Sequence, residues 1–505
     1  MTCLLSVGCT AYRWHELDAG SFKEREKQMR DDKRKCRKRR HARQKVAMPS
    51  SVADCLVVVL KSCNGDGAKG ATYLAEFISS TLKEDETMDE AKPFKVGKRL
   101  VYEAWKEVKS NKGSAGIDGI GVEEYEIKLH NNLYKLWNRM SSGSYFPKPV
   151  KLVEIPKSNG GKRPLGIPTV DDRIAQAVVV KAIMPKLDKV FHEDSYGFRL
   201  NKSAHDAIAK ADERCWRYSW VLDMDISKFF DTIDHELLMK AVCRHVTERW
   251  MLLYIERWLK VPYQLKDGTL IERTMGVPQG SVIGPVLANL FLHYVFDKWM
   301  QINYPSIPFE RYADDSICHC VSKRQAEFIR DRLIERFAEC KLKLNEEKTK
   351  IVYCKDSNRH DRDANESFDY LGFTFRPRAG RNKQTHQVFT VFKPAISKKA
   401  SKKIREEIRR WRILRNYHLK LEDIAAQINP VVRGWINYYA KFGKTEFRKV
   451  MDYLNQTLAN WVRKKYKRVK RLWVKAENLL ATTANYNRTL FSHWAAGYIP
   501  YQISR

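Results

Sequence analysis

The chain has 505 residues, with 93 Lys and Arg residues against 60 Asp and Glu residues and a formal net charge of +33. Apolar residues make up 43% of it, as in an ordinary globular protein, so a disordered basic tail is excluded. A folded chain of this charge predicts a polyanionic partner, nucleic acid in the first place and an acidic membrane surface in the second. No apolar run approaches the length of a membrane-spanning helix, which excludes such a helix. Nucleic acid, and not a membrane, is the expected partner.

The cysteines and the N-terminal region narrow the class of protein further. The 11 cysteines are scattered without any C-x-x-C pair, so neither a disulfide framework nor a zinc site is predicted. The N-terminal residues show no charged region followed by an apolar one, so secretion is not expected and reduced thiols are the default interpretation. Residues 23–45 are dense in charge and mostly basic. We interpret 1–87 as a basic extension that is either a disordered appendage or an over-extended reading frame.

Hydrophobic periodicity predicts helices and strands along the middle of the chain. In chain order they are a helix at 101–110, a strand at 151–155, a helix at 171–190, a strand at 219–226 with a helix from about 227, an amphipathic helix at 284–300, and strands at 309–313 and 316–321. A hairpin-type turn follows the first strand at 156–161. The last two strands predict a second hairpin, with Asp314 and Asp315 at its tip.

The C-terminal part has a different composition. Residues 391–480 hold 24 Lys and Arg against 7 Asp and Glu, a net charge of +17, which is half of the chain's excess. Trp and Tyr residues are set among these cations, and the segment is predicted to be helical throughout. Cations interleaved with aromatic rings suit an RNA surface. A helical bundle with aromatic residues in its core and a solvated basic face is the alternative.

Three acids stand at the ends of predicted strands. Asp225 closes an apolar strand, and Asp314 and Asp315 occupy the predicted hairpin tip. Nucleotidyl transfer uses two divalent ions about 4 Å apart, and Mg²⁺ prefers carboxylate oxygens. Ordinary turn chemistry also explains an Asp-Asp pair. The segment 276–281 (GVPQGS) lies between these acids in the sequence, and its two glycines indicate that the backbone there approaches another group closely.

These blocks, in this order, resemble a reverse transcriptase of the group II intron type over roughly residues 88–500. The blocks that carry the resemblance are 111–119 (NKGSAGIDG), 163–169 (RPLGIPT), 225–235 (DISKFFDTIDH), 276–281 (GVPQGS), 312–315 (YADD), 341–345 (KLKLN), 348–350 (KTK) and 368–373 (FDYLGF). The resemblance implies an α+β right-hand polymerase. Its fingers and palm, with an antiparallel palm sheet, would span 88–375, and a helical thumb or maturase domain would span 376–505.

The resemblance also implies the roles of individual residues. Asp225, Asp314 and Asp315 would be catalytic and, with Ile226, would hold two Mg²⁺ ions. Asp223, two residues before Asp225 on the same strand face, is the competing candidate.

Four residues would bind the incoming dNTP by the same resemblance. Lys157 and Arg163 would contact its triphosphate, Phe230 would stack under the deoxyribose, and Gln279 would lie along the new base pair. The alternatives are a solvated surface cation for Lys157 and Arg163, a core side chain for Phe230 and a turn-capping amide for Gln279. Asp231 and Asp234 are expected to face solvent or to cap the next helix. The segment 196–199 (YGFR) resembles a template-contacting block, although packing explains its aromatic residues equally well.

The basic C-terminal region resembles the maturase region that doubles as the thumb. The blocks are 428–439 (INPVVRGWINYY), 454–458 (LNQTL) and 461–466 (WVRKKY). We expect Trp435 and Trp461 in the core. The residues expected to face RNA are Arg433, Lys441, Arg463, Lys464 and Lys465.

The resemblance implies an RNA-directed DNA polymerase that binds its group II intron RNA, assists splicing and supports mobility by target-primed reverse transcription. Its partners would be the intron RNA, an RNA template with a DNA primer, target DNA and dNTP. The expected location is the bacterial cytoplasm, at the nucleoid when on DNA, or an organelle. Because Cys354 is the last cysteine, no metal-bound endonuclease domain is expected. A domesticated reverse transcriptase in defence, repair or spacer acquisition and a non-catalytic splicing cofactor are the alternatives.

Overall fold

The computed structural model describes residues 92–156, 161–361, 363, 365–382, 384–466 and 473–502. The predicted extension 1–87 and Lys157 lie outside the described residues. The chain divides into two units, and the smaller includes 92–103 and 133–145 of the described residues. Within the described ranges no helix combines the length and the apolar character needed to cross a membrane.

The smaller unit is organised around one tryptophan. The Trp137 indole donates to the Val96 carbonyl at 2.7 Å, and the Lys92 ammonium lies 3.5 Å from its ring centre. Phe94 packs against Gly143, where a Cβ would lie 2.9 Å from the Phe94 ring. These contacts join the two stretches of chain in this unit.

The first described elements are helices followed by a small sheet. Their bounds are α1 Lys98–Ser110, α2 Val122–Ile127, α3 Leu129–Ser142, β1 Val150–Pro156, β2 Lys162–Ile167 and α4 Val170–Leu187. The predicted helices at 101–110 and 171–190 and the strand at 151–155 are therefore confirmed. Thr169 caps α4 by accepting from the Asp172 amide. Strands β1 and β2 pair antiparallel, and β1 continues the sheet by a parallel pairing at Tyr263.

The next elements build the palm. Their bounds are α5 Ala204–Arg217, β3 Trp220–Met224, α6 Phe229–Thr232, α7 His235–Cys243, α8 Arg249–Lys260, β4 Tyr263–Gln264, β5 Leu270–Ile271, α9 Gly284–Leu292, a π-helical turn His293–Asp297, α10 Lys298–Asn303, β6 Phe309–Tyr312, β7 Asp315–Cys320, α11 Lys323–Glu339 and β8 Lys350–Tyr353. The palm sheet has the order β6-β7-β3-β8, and every pairing in it is antiparallel. This confirms the predicted antiparallel palm sheet and the hairpin around the Asp-Asp pair.

A second sheet follows the palm and corrects one prediction. Its strands are β9 Phe368–Tyr370, β10 Phe373–Arg381 and β11 Val388–Ile396, in the order β11-β10-β9. The prediction that 391–480 is helical throughout is wrong for 391–396, because these residues pair with β10, for example Ile396 with Phe373. The predicted boundary at 375/376 falls inside β10.

Helices form the rest of the described chain. Their bounds are α12 Lys398–Arg410, a 3₁₀ turn Ile413–Arg415, α13 Leu421–Tyr439, α14 Lys444–Lys465, α15 Trp473–Tyr486 and α16 Ser492–Ala495. Trp461 is fully buried and Trp435 is 9% exposed, so both are core residues as predicted. The palm combines helices with an antiparallel sheet, and the C-terminal part is built of helices. This is the architecture of the predicted α+β right-hand polymerase.

Candidate active site

The three predicted catalytic aspartates meet at one end of the palm sheet. In the β3–β7 ladder Met224 lies opposite Ser316, and in the β6–β7 hairpin Tyr312 lies opposite Asp315. Continuing the β3–β7 register by one residue places Asp225 opposite Asp315. Asp314 occupies the two-residue turn between β6 and β7. The structure thus brings together acids that are about ninety residues apart in sequence.

Burial disfavours the charged forms of Asp223, Asp314 and Asp315 at this end of the sheet. Burial, and then the charge of Asp314, raise the pKa of Asp315 to about 7. Burial also raises the pKa of Asp314, with a further contribution from Asp225. Asp223 lies inside the ladder opposite Ile317, and burial together with the charge of Asp315 raises its pKa as well. Acids whose charged form is disfavoured in this way mark a place where a cation is stabilised.

One ammonium group is already paired with these acids. Lys348 Nζ donates to Asp225 Oδ2 at 2.8 Å, and the Asn345 amide donates to the Asp225 carbonyl at 2.8 Å. Ile226, predicted as a metal-binding residue, forms an isolated bridge with Leu344. Because the Lys348 side chain is 64% exposed, this ion pair contributes at most about 1 kcal/mol. A divalent ion therefore competes for Asp225 against a weakly bound partner.

The donor set fits a metal ion that takes part of its coordination from substrate. Among the described residues, no three His, Cys, Asp or Glu side chains converge into a group able to hold a metal by themselves. Asp225 and Asp315 nevertheless lie opposite each other, with Asp314 next in sequence. Mg²⁺ prefers such carboxylate oxygens and keeps positions for water and phosphate. The residues present therefore fit the predicted ions.

A buried arginine fixes the turn that carries Asp314. Arg311 is fully buried and donates to both carboxylate oxygens of Asp297 at 2.6 Å. The same guanidinium donates to Asn289 Oδ1 and to the Ala313 carbonyl, both at 3.0 Å, and to Ser195 Oγ at 2.8 Å. Ala313 itself has a left-handed φ of +58°. The guanidinium thus binds the backbone of the strained residue directly before Asp314.

The segment 196–199 supports the same turn from outside. A Cβ on Gly197 would lie 2.4 Å from the Ala313 amide nitrogen, so only glycine allows this approach. The Gly197 carbonyl accepts from Asn289 Nδ2 at 2.5 Å. Arg199 is turned inward and donates to Asp188 Oδ1 at 2.9 Å. In this structure the segment holds the turn that carries Asp314. Of its two aromatic residues Tyr196 is buried, as packing alone explains, whereas Phe198 is exposed.

Sequence reasoning missed Arg311, Asn289 and Asp297 as parts of the site. A signal was present, because Asn289, His293 and Asp297 recur every four residues in an otherwise apolar helical run. The prediction of one amphipathic helix at 284–300 holds only in part. A π-helical turn at His293–Asp297 interrupts it, and most of its residues are buried.

Two of the residues predicted to bind dNTP, Arg163 and Gln279, form one hydrogen-bonded chain with Asp231. Arg163 Nε donates to Gln279 Oε1, and Gln279 Nε2 donates to Asp231 Oδ1 at 3.0 Å. Asp231 therefore binds Gln279 instead of facing solvent or capping a helix. Asp234 does cap α7, because it accepts from the Leu237 amide at 2.9 Å. Arg163 on β2 and Gln279 in its loop are thus positioned by each other.

Two glycines fit the 276–281 loop against its neighbours. Gly276 has a φ of +79°, and a Cβ there would lie 2.7 Å from the Asp231 carbonyl oxygen. Gly280 has a φ of +108°, and its Cβ would lie 2.4 Å from the Gly166 carbonyl oxygen. The Val277 amide donates to the Phe230 carbonyl at 2.7 Å. The loop therefore packs against β2 at one end and against the backbone of Phe230 at the other. The Phe230 ring is partly buried and packs edge-on against Phe229.

The residues predicted to face RNA fall into two groups. Arg433, Lys441 and Lys464 are exposed. Arg463 lies over the Trp473 ring at 5.5 Å, and Lys465 donates to the Leu419 carbonyl. Only the first group presents its charge freely to a partner on the surface.

Comparison with known proteins matches two parts of the chain to families. Residues 155–375 match reverse transcriptase (RNA-dependent DNA polymerase), and residues 401–479 match the group II intron, maturase-specific domain. The first range contains the palm sheet and the three aspartates. The second runs from within α12 to within α15.

Curated relatives align over different shares of their length. Protein YkfC of Escherichia coli (strain K12) is 34% identical, covering 49% of this chain and 75% of the relative. The group II intron-encoded protein LtrA of Lactococcus lactis subsp. cremoris is 31% identical, over 46% of this chain and 39% of the relative. The putative COX1/OXI3 intron 1 protein of Saccharomyces cerevisiae is 32% identical, over 39% of this chain and 24% of the relative. The chain thus spans less than half the length of these two intron-encoded relatives.

Proposed function

Because this chain belongs to the family of group II intron-encoded reverse transcriptases and maturases, we propose that it copies RNA into DNA and binds its own group II intron RNA. In this proposal it assists splicing of the intron and supports its mobility by reverse transcription from a primed DNA target. Its partners are the intron RNA, an RNA template with a DNA primer, target DNA and dNTP. Relatives occur in bacteria and, by name, in plant mitochondria, so we place it in a bacterial cytoplasm or an organelle.

The observation that carries the proposal is the meeting of Asp225, Asp314 and Asp315 at one end of the palm sheet. A protein that only binds RNA gains nothing from adjacent acids whose pKa values burial has raised. The cost of holding such charges together is explained if they bind cations during catalysis. The buried Arg311 is consistent with this, because it holds the turn before Asp314 in a strained conformation.

Two Mg²⁺ ions, held by the three aspartates with Ile226, would when bound activate the primer 3′-hydroxyl and stabilise the leaving pyrophosphate. The chain's own residues position the reactants. Lys348 is paired with Asp225, and it would be available to phosphate oxygens if a bound ion took its place on that carboxylate. Arg163 offsets the charge of the triphosphate, together with Lys157, which lies outside the described residues.

Two further residues select the nucleotide. The Gln279 amide is oriented between Arg163 and Asp231, which leaves its plane fixed along the proposed base pair. Phe230, placed by the Val277 hydrogen bond, supports the deoxyribose and excludes a 2′-hydroxyl. The exposed cations of the helical C-terminal part bind phosphates of the RNA.

Primer extension tests the proposal. Purified protein is given a DNA primer annealed to an RNA template, with dNTPs and Mg²⁺, and the product is measured for the wild type, Asp314→Asn/Asp315→Asn and Asp331→Asn. Asp331 is an exposed aspartate on α11, so its variant is the matched control. Binding of the same template is measured in parallel.

We expect Mg²⁺-dependent cDNA from the wild type and the control, and none from the double variant. Retained template binding by the double variant then assigns the loss to chemistry. If the wild type binds RNA tightly but makes no cDNA at any salt concentration, the polymerase proposal is wrong and a non-catalytic splicing cofactor replaces it.

A further inference from the structure

A cleft of about 620 Å³ lies where the β10–β11 hairpin meets the start of α14. None of the three catalytic aspartates lines it. Its charged lining residues are Arg376, Arg378, Lys393, Lys441, Asp212 and Glu446. Lys393 donates to Asp212 at 2.8 Å and so neutralises it. Arg376, Arg378 and Lys441 then face Glu446 in one concave space, which is the charge balance of an anion site.

The partly buried arginine of this cleft, Arg378, has no acid at hydrogen-bond distance. Arg378 is 14% exposed by its side chain, and it donates to the Lys393 and Thr374 carbonyls at 3.0 Å. Burial, and then the charge of Arg376, lower the pKa of Arg378. An anion that contacts both guanidinium groups offsets this repulsion between them.

The acid nearest to both arginines does not satisfy them. Glu446 lies 3.7 Å from Arg376 and 3.6 Å from Arg378, too far for hydrogen bonds. It is closer to Lys449, which donates to both of its oxygens at 3.1 and 3.2 Å. Glu446 therefore partly neutralises the cleft without occupying the position of a bidentate anion.

A helix N-terminus is pressed into the same space. α14 begins after Gly443, which has a φ of +62°, and no side chain caps the helix there. A Cβ on Gly443 would lie 2.3 Å from the Ala395 Cβ, so glycine is what allows the helix end to approach β11. Thr445, in the first turn, also lines the cleft. The positive end of the helix dipole adds to the charge of the arginines.

We propose that this cleft binds a backbone phosphate of folded RNA, at a site separate from the catalytic aspartates. The proposal rests on the proposed function for the nature of the polymer, and on the cleft itself for the phosphate. Arg376 and Arg378 would hold the phosphate oxygens, Lys441 would add charge at the rim, and Glu446 would move toward Lys449.

The test measures binding of a labelled RNA hairpin to the full chain as a function of salt concentration. Arg376→Ala is expected to weaken binding roughly five- to tenfold at about 0.1 M salt and to lower the salt slope by about one. Glu446→Gln is expected to tighten binding, because it removes a competing charge. Arg332→Ala, which removes an exposed cation from α11, is the matched control and should change little.

Opposite effects of the two cleft variants are the decisive sign, because damage to the fold weakens binding in both. The proposal is overturned if Glu446→Gln weakens binding or leaves it unchanged, or if Arg376→Ala and Arg332→Ala behave alike. A DNA hairpin of the same sequence that loses as much affinity in Arg376→Ala overturns the assignment to RNA. Primer extension on a short unstructured template is measured alongside. If Arg376→Ala reduces primer extension as much as it reduces hairpin binding, the cleft is not separate from the catalytic site.

The outcome can be told apart from failure of the proposed function. If the wild type makes no cDNA, the polymerase assignment is lost while the hairpin measurement still decides whether the cleft binds phosphate. If cDNA forms and the cleft variants bind the hairpin like wild type, the cleft proposal alone is lost.

Discussion

Replacing Arg311 with alanine tests whether the turn that carries Asp314 depends on one buried ion pair. The Arg311 and Asp297 side chains are both 0% exposed and share two hydrogen bonds of 2.6 Å. Truncation leaves the Asp297 carboxylate buried, with His293 Nδ1 3.8 Å away. Removing one partner of a buried pair costs about 3–5 kcal/mol. Since the whole free energy of unfolding is about 5–15 kcal/mol, this loss is a large fraction of it.

The loss depends on pH in a direction that the structure fixes. Burial acts to raise the pKa of Asp297, but the charge and hydrogen bonds of Arg311 outweigh it and lower that pKa below its usual value. In the wild type this contribution to stability is present above the unfolded pKa and is lost as pH falls through the folded one. In Arg311→Ala only His293 still opposes the effect of burial on this pKa, so the carboxyl favours its neutral form more than in the wild type. The stability difference between the proteins therefore shrinks as pH falls from 7 toward 4.

Chemical denaturation of the full chain at pH 7 and pH 5, followed by circular dichroism, measures this difference. The double variant Arg311→Met/Asp297→Leu removes both charges and is expected to recover much of the stability lost by the single variant. Primer extension should fall in both variants, because the Ala313 carbonyl loses its donor in each. The reasoning is refuted if Arg311→Ala costs less than about 1 kcal/mol at pH 7, or if the double variant is no more stable than the single one.

Three further predictions address the turn, the C-terminal helices and the nucleotide site. Gly197→Ala places a Cβ 2.4 Å from the Ala313 amide nitrogen and should sharply lower primer extension. Gly434→Ala, whose Cβ would have no atom within 4 Å, is the control and should not lower it. Equal effects of the two variants would contradict the close-packing argument. Burial lowers the pKa of His493 to about 3, so its contribution to stability is complete above about pH 6.5 and falls by about 1.4 kcal/mol per pH unit below it. Urea denaturation of His493→Gln should lack this acid-dependent loss, and an unchanged pH dependence would show that another group causes it. Phe230→Val should raise incorporation of ribonucleotides relative to deoxyribonucleotides in primer extension, with Phe328→Val as an exposed control, and an unchanged ratio would remove Phe230 from sugar selection.

The palm was predictable because its signals are local. Alternating apolar residues ending in acids gave the strands around Asp225 and the hairpin at 314–315, and the antiparallel register then brings these residues together. The partners of Arg311 could not be predicted in the same way. Ser195 lies 116 residues from it, and pairing over that distance depends on the tertiary fold. The polar positions on the helical run at 284–297 indicated a buried network without identifying its centre.

The strand at 388–396 shows how tertiary structure overrides composition. The composition of 391–480, basic with interspersed aromatic residues, predicts helix throughout, and this includes the last six residues of the strand. The observed strand pairs along nine residues with β10, from Phe373–Ile396 to Arg381–Val388. Whether a segment such as this one forms a strand depends more on the surface against which it packs than on the preferences of its own residues. The inward position of Lys465 has a similar origin, since its acceptor is the Leu419 carbonyl, in the connection before α13.

The packing between palm and C-terminal helices limits how polymerase and splicing functions can be separated. One hydrophobic core contains Val221 of the palm, Phe373 of the second sheet and Trp461 of α14. The Phe373 ring lies 5.6 Å from that of Tyr438, whose hydroxyl donates to the Leu371 carbonyl at 2.8 Å. A truncation or core substitution in these helices therefore disturbs the segment that leads into the palm, and loses both activities for one reason. Variants that separate them have to remove surface charge in the helices or a carboxylate in the palm, because neither change alters this shared core.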